Sequence, residues 1–318
     1  ISDDVGSVYS LDINGKINWK KNVYRKLYKK VYKVLSLSIY QNAIYIADNI
    51  GFIYKIDFNS GELLWIKNHS IPLKSDIKIF EDRMYVMNQD NRLLCFDIKD
   101  GNLLWSFRSV SSFIKSQNLL SMAISKEKDL IILNSSGDLS NLRADNGSPY
   151  WTLNAIGSLY AHDTDFFKSS KIVLTDNEII FSTPHKTFSF NIRNGILNWE
   201  NEVGTSNTPI LDSNNIFTIT DNGYFVNINK ADGKVQRSIN ILKILKKKKR
   251  DTKVTGFVLG SGKIYAVTKN GYLIIVSASS GKIDSFKKIG DNISSNPIIS
   301  EGSLYILTEN SRILGFSE

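Results

Sequence analysis

Every tryptophan in this chain stands four residues after a glycine: Trp19, Trp65, Trp105, Trp151 and Trp199 follow Gly15, Gly61, Gly101, Gly147 and Gly195. The glycines continue to Gly233 and Gly281, and the spacing averages about 44 residues. An internal period of that size constrains the architecture more than any other feature. Each repeat is one supersecondary unit that can bury its apolar face only against its neighbours.

Within a repeat the side-chain period is two rather than 3.6. In Gly51 to Trp65, Phe52, Tyr54 and Ile56 alternate with Ile53, Lys55 and Asp57, and an Asp-x-x-x-Gly turn follows. An Asp that caps its own turn and a Gly free to take positive φ are hairpin chemistry. Upstream of each hairpin lies another short apolar run ending in a polar turn, as in RMYVMNQDN and KIYAVTKNG, often preceded by a shorter strand such as NTPILDS. Each unit therefore reads as four antiparallel strands, A to D, the pattern of a propeller blade. A parallel β-helix needs a shorter period, and helical solenoids need apolar residues at i, i+3 and i+4.

The expectation is an all-β, eight-bladed β-propeller running through residues 1–318 as one domain, with seven blades the alternative count. Hairpin copies start at Gly6, Gly51, Asn91, Gly137, Lys186, Gly223 and Gly271, and a shortened one begins at Ser311. Aligning Gly6 with Gly51 puts Ile1 late in strand B, so a preceding stretch is expected to complete the first blade and lend the last one its outer strand.

The unit G-x-h-x-x-h-D-x-x-x-G-x-x-x-W resembles the PQQ-like propeller repeat of quinoprotein alcohol dehydrogenases and of BamB-type lipoproteins, and the resemblance covers essentially the whole chain. The WD40 pattern fails, since its Gly-His and Trp-Asp pairs are missing and the Trp lies on the wrong side of the turn. The resemblance implies that the five tryptophans dock between neighbouring blades. A quinoprotein dehydrogenase would be longer and would carry an adjacent Cys pair, a calcium site and a catalytic Asp. Here Cys95 is alone, in mid-strand, and reads as a small buried hydrophobe. Asp12, Asp57 and Asp97 recur at one place in successive repeats, as turn caps do, and His69, His162 and His185 lack metal-ligand spacing. No nucleophile elbow, P-loop or dinucleotide motif is present. No catalytic, metal or cofactor residue is expected.

Charge is concentrated in two places. Residues 20–33 carry seven basic side chains and residues 245–250 five, namely Lys246, Lys247, Lys248, Lys249 and Arg250, with no acid in either. With these twelve set aside, the +9 of the chain becomes −3. Both segments follow a D strand and precede an A strand, so they form a basic rim suited to anionic head groups or an acidic protein face. Tyr24, Tyr28 and Tyr32, four apart, suggest a short amphipathic helical insert in the first. A propeller offers no groove-reading helix, so nucleic acid is not an expected partner.

The BamB-type resemblance implies a non-enzymatic periplasmic scaffold, peripheral to the inner leaflet of the outer membrane. Its partners would be the periplasmic domains of BamA and unfolded outer-membrane substrates, and its membrane tether a lipidated Cys preceding this chain. The loop after the fourth-blade Trp would make an apolar-plus-Arg contact with BamA, which places Leu159 and Ala161 at the apolar positions and His162 at the Arg. Tyr160, Asp163, Phe166 and Phe167 offer further contact area. A family Asp pair preceding a Thr-Pro corresponds here to Gly204 to Ser206, where no Asp stands. The alternatives are a PQQ-binding quinoprotein or sensor using the central funnel, and an adhesion or polysaccharide-binding propeller.

Overall fold

The computed structural model describes residues 1–28, 30–109, 120–155, 168–246 and 252–317. Its contacts fall into two compact units, Ile1–Phe167 and Lys168–Glu318. The first unit opens with the hairpin β1 (Ser7–Leu11) and β2 (Ile17–Asn22). Three four-stranded antiparallel sheets follow: β3 to β6 (Leu35–Tyr40, Ala43–Asp48, Phe52–Asp57, Leu63–Asn68), β7 to β10 (Lys78–Phe80, Arg83–Met87, Arg92–Asp97, Leu103–Arg108) and β11 to β14 (Ser121–Ile124, Asp129–Leu133, Asp138–Arg143, Pro149–Asn154).

The second unit repeats the plan. Its sheets are β15 to β18 (Val173–Leu174, Glu178–Ser182, Thr187–Asn191, Leu197–Asn201), β19 to β22 (Ile210–Asp212, Asn215–Ile219, Tyr224–Asn229, Val235–Asn240) and β23 to β26 (Val254–Gly260, Lys263–Thr268, Tyr272–Ser277, Ile283–Lys288). A three-stranded sheet closes it, β27 to β29 (Ile298–Ser300, Ser303–Leu307, Ile313–Ser317).

The propeller expectation holds, and the count of eight blades does not. Twenty-nine described strands are too few for eight blades of four and enough for seven. The reason lies in what the repeat marks. The Gly-to-Trp signature reports C–D hairpins, and a hairpin without its A and B strands, such as β1–β2, is half a sheet and not a blade.

The period of two explains the core. In β8, Met84 and Val86 join Ala43, Tyr45 and Phe96 in one cluster, while Tyr85 and Met87 join Met122, Leu130 and Ile132 in the next. Successive side chains of a strand point to opposite faces, so one B strand contributes to the cores on both sides of its sheet. All six residues of β4 are buried, whereas β6 and β10 show exposed positions alternating with half-buried ones. The outer D strand is wetted on one side, and its half-buried positions include Trp65 and Trp105.

The turns follow the sequence chemistry. Asp57 Oδ1 accepts from the amides of Asn59 and Ser60 at 3.0 and 2.8 Å, and Gly61 turns with φ +69. Asp12 caps Asn14 and Lys16 in the same way, and Asp97 caps Lys99.

Candidate interaction surfaces

In an up-and-down sheet the A–B and C–D turns lie at one end, and the B–C turns and D–A connections at the other. The tryptophans work near the first end. Trp19 lies over Gly61 of the next sheet and its indole N–H donates to Phe58 O at 3.1 Å; Trp199 lies over Gly233 and donates to Lys230 O at 2.8 Å. Trp65 covers Gly101 and Trp105 covers Gly147, both with the indole N–H buried and without a partner. Trp151 is half-buried on β14. Where the next repeat carries Arg237 instead of Trp, its Cδ covers Gly281 and its guanidinium donates to Ser279 O. The slot over the turn glycine is kept, filled here by Arg237 together with Ile239 Cδ1.

The other end carries the connections. Leu159, Tyr160, His162, Asp163, Phe166 and Phe167 lie outside the described residues, as do Lys247, Lys248, Lys249 and Arg250. Lys246 is exposed, just past a short 3-10 helix, Ile241–Ile244, whose Ile241 and Leu242 are buried. The first basic segment is placed in detail. Tyr24 is buried and donates its hydroxyl to Asp48, while Asp48 accepts the amides of Ile50, Gly51 and Phe52. Burial is the largest cause holding the Tyr24 hydroxyl protonated, well above the usual tyrosine range, and the neighbouring Tyr54 and Asp48 add to it. Where the tyrosine spacing suggests an amphipathic helical insert, the structure has a single 3-10 turn at Lys26–Tyr28, with Tyr24 buried and Tyr32 exposed, so the three rings do not share one helical face.

In the second unit, Gly204 sits so close to the turn at Pro184 that a Cβ there would lie 1.9 Å from the Pro184 carbonyl oxygen. Only glycine fits. Next to it the Ser206 hydroxyl donates to Asp221 Oδ1 at 2.9 Å, and Thr205 Oγ1 donates to Ile219 O at 2.7 Å. Asp221, from the β20–β21 turn, thus brings a carboxylate to the stretch before Thr208-Pro209, where sequence reading finds no Asp. The signal was a polar turn one sheet further on, and it is visible only when the two segments are brought together. A cavity of about 450 Å3 lined by His185, Glu202, Gly204 and Tyr224 lies beside this stretch. A second of about 670 Å3 is lined by Asp221, Lys253, Lys269 and Asn292. Lys186 pairs with Glu200 at 2.6 Å and Glu202 at 3.5 Å.

Among the described residues no group of three or more His, Cys, Asp or Glu could hold a metal ion. Cys95 is buried, and burial pushes its thiol up to about 12. His69 packs on Phe96 at 4.5 Å, and burial, then the nearby Lys67, lowers its pKa. No helix among the described residues is long and apolar enough to cross a membrane, which says nothing of strand-built barrels. The described surface here carries charged side chains of both signs around two open cavities.

A family model described as "Outer membrane protein assembly factor BamB" matches residues 4–239. The chain belongs to the BamB family. Among solved structures, BamB from Moraxella catarrhalis superposes with a TM-score of 0.81 at 14% identity, covering 100% of this chain and 92% of that one. The computationally designed Ika8 protein gives 0.76 at 11%, covering 100% and 92%. A europium-containing methanol dehydrogenase gives 0.70 at 13%, covering 97% and 78%. At such identities the structural likenesses carry the fold alone. No curated protein matches the chain. The BamB family therefore rests on the sequence model, and the propeller on both.

Proposed function

We propose that this chain is a non-enzymatic scaffold of outer-membrane protein assembly, acting in the periplasm by docking on the periplasmic domains of a BamA-type barrel protein. The observation that carries this reading is the match of the BamB assembly-factor model across residues 4–239. The D–A end of the second unit is the docking face, with Asp221 held beside Ser206 in the role of the family's acidic contact. A separate contact, on the first unit, is the segment holding Leu159, Tyr160, His162, Asp163, Phe166 and Phe167. The chain contributes by presentation: rigid blades hold irregular connections in fixed places, and the partner reads the connections.

Calorimetric titration against purified BamA periplasmic domains tests the reading. Saturable one-to-one binding is expected. It should be weakened by Asp221→Ala, and abolished by Leu159→Asp with Tyr160→Asp. No heat with BamA, alongside saturable heat with PQQ and calcium, would replace the scaffold with the quinoprotein reading.

A further inference from the structure

The connection from β2 to β3 is a built loop that presents apolar side chains to solvent. Three residues fix it from beneath. The Tyr24 ring packs edge-on against Phe52 and Tyr54, each at 6.1 Å, and Tyr28 packs on Phe52 at 5.2 Å. Lys33 is only 2% exposed, its ammonium lying 4.7 Å from the centre of the Tyr24 ring and donating to the carbonyls of Tyr28 and Val31 at 2.6 and 2.8 Å. Asn49 pins the far side, donating to Tyr32 O at 3.1 Å and accepting from the Val34 amide at 2.8 Å.

With Tyr24, Tyr28 and Lys33 turned inward and Val23 half-buried, several of the described side chains of the loop face water. Leu27 is 82% exposed and Tyr32 67%, with Val31 and Val34 exposed beside them. Arg25, Lys26 and Lys30 are exposed around this crown. No Asp or Glu occurs between residues 13 and 47. Of the neighbouring acids, Asp48 is buried and engaged by Tyr24, and Asp3 accepts from Tyr9 Oη and the Ser7 amide. Asp4, whose carbonyl accepts from the Lys33 amide, is the exposed carboxylate beside the loop.

We infer that the 23–34 connection is a peripheral membrane contact that lies on an anionic bilayer surface. Leu27, Val31 and Tyr32 enter the boundary between head groups and acyl chains, and Arg25, Lys26 and Lys30 bind lipid phosphates. Apolar side chains on one side and cations around them are the composition of interfacial anchors, and tyrosine favours that boundary because its ring is apolar and its hydroxyl wet. The negative charge of an anionic bilayer complements the cations around these apolar side chains. The anchoring beneath removes the ordering cost a floppy loop would meet on binding. This inference is independent of BamA docking, which is measured without lipid.

Cosedimentation of the chain with vesicles of phosphatidylglycerol and phosphatidylethanolamine in equal parts tests it, with phosphatidylcholine vesicles and soluble polyglutamate alongside. Binding is expected on the anionic vesicles, and it should weaken steeply as salt rises from about 0.05 to about 0.5 M. Each cation near an anionic leaflet strengthens binding about fivefold, so replacing Arg25, Lys26 and Lys30 by Ser should weaken it about a hundredfold. Leu27→Asp with Tyr32→Asp should abolish it with the circular dichroism spectrum unchanged, because both side chains are exposed. Absence of vesicle binding, equal binding to phosphatidylcholine, or unaltered binding by either variant would overturn the inference. Capture by polyglutamate with none by vesicles would overturn it in favour of an acidic protein partner.

Discussion

The tryptophan slots yield a sharp test when each side of one contact is altered in turn. Trp105 lies over Gly147, and a Cβ at Gly147 would fall 2.5 Å from Trp105 Cε3. Trp105→Ala empties a large slot between two sheets and should cost about 3–5 kcal/mol. Gly147→Ala carries two penalties. The backbone there has φ +74, which costs an L-residue about 1–2 kcal/mol, and the new methyl collides with the indole, adding about 1–3 kcal/mol. In the double variant the collision is gone and the methyl enters vacated space. The two changes should therefore couple, the pair being about 1–3 kcal/mol less damaging than the sum of the singles. Gly15→Ala is the control, because φ is +82 there but nothing lies within 4 Å of the added Cβ; only the backbone penalty should appear. Urea unfolding followed by circular dichroism measures all four. Additivity of Trp105→Ala and Gly147→Ala within about 0.5 kcal/mol would refute the packing of one sheet's indole on the next sheet's turn.

Three further outcomes follow from single sites. Cys95 keeps its proton in the folded chain up to about 12 against an ordinary 9.0, so the unfolded state binds fewer protons above pH 9; stability should fall as pH rises, with Cys95→Ala showing the shallower slope in urea midpoints. Burial lowers the His69 pKa below 6.5, so the unfolded state takes up the extra proton. Stability should fall as pH drops below 6.5, and His69→Gln should flatten that limb of a thermal-melt series. Arg237→Trp should be tolerated within about 1 kcal/mol because it restores the side chain used in the other slots, whereas Arg237→Ala should cost about 1–2 kcal/mol more by leaving Ile239 alone to cover Gly281. Equal urea midpoints for the two Arg237 variants would contradict this.

The propeller was legible in the sequence because its determinants are local and repeated. A capping Asp, a turn Gly with positive φ and a Trp four residues on are set by neighbours in the chain, and repetition makes each copy check the others. The blade count was less legible, since the signature marks hairpins, and β1–β2 carries it without the strands of a full sheet. Surfaces were least legible. Asp221 reaches Ser206 from the next sheet's turn, and Lys33, one of seven basic residues in a run expected to form a basic rim, is instead buried over Tyr24. Connections have no period to read, and the contacts that set which side of the 23–34 loop faces water, from Tyr24 to Asp48, Tyr28 to Phe52 and Asn49 to Tyr32 and Val34, join residues far apart in the chain.

The central claim is that a BamB-family propeller acts by holding a partner and not by chemistry. Isothermal titration of the chain with the periplasmic domains of its cognate BamA measures this most directly. The account predicts saturable one-to-one binding that Asp221→Ala weakens. A flat titration with folded, monodisperse components would contradict it.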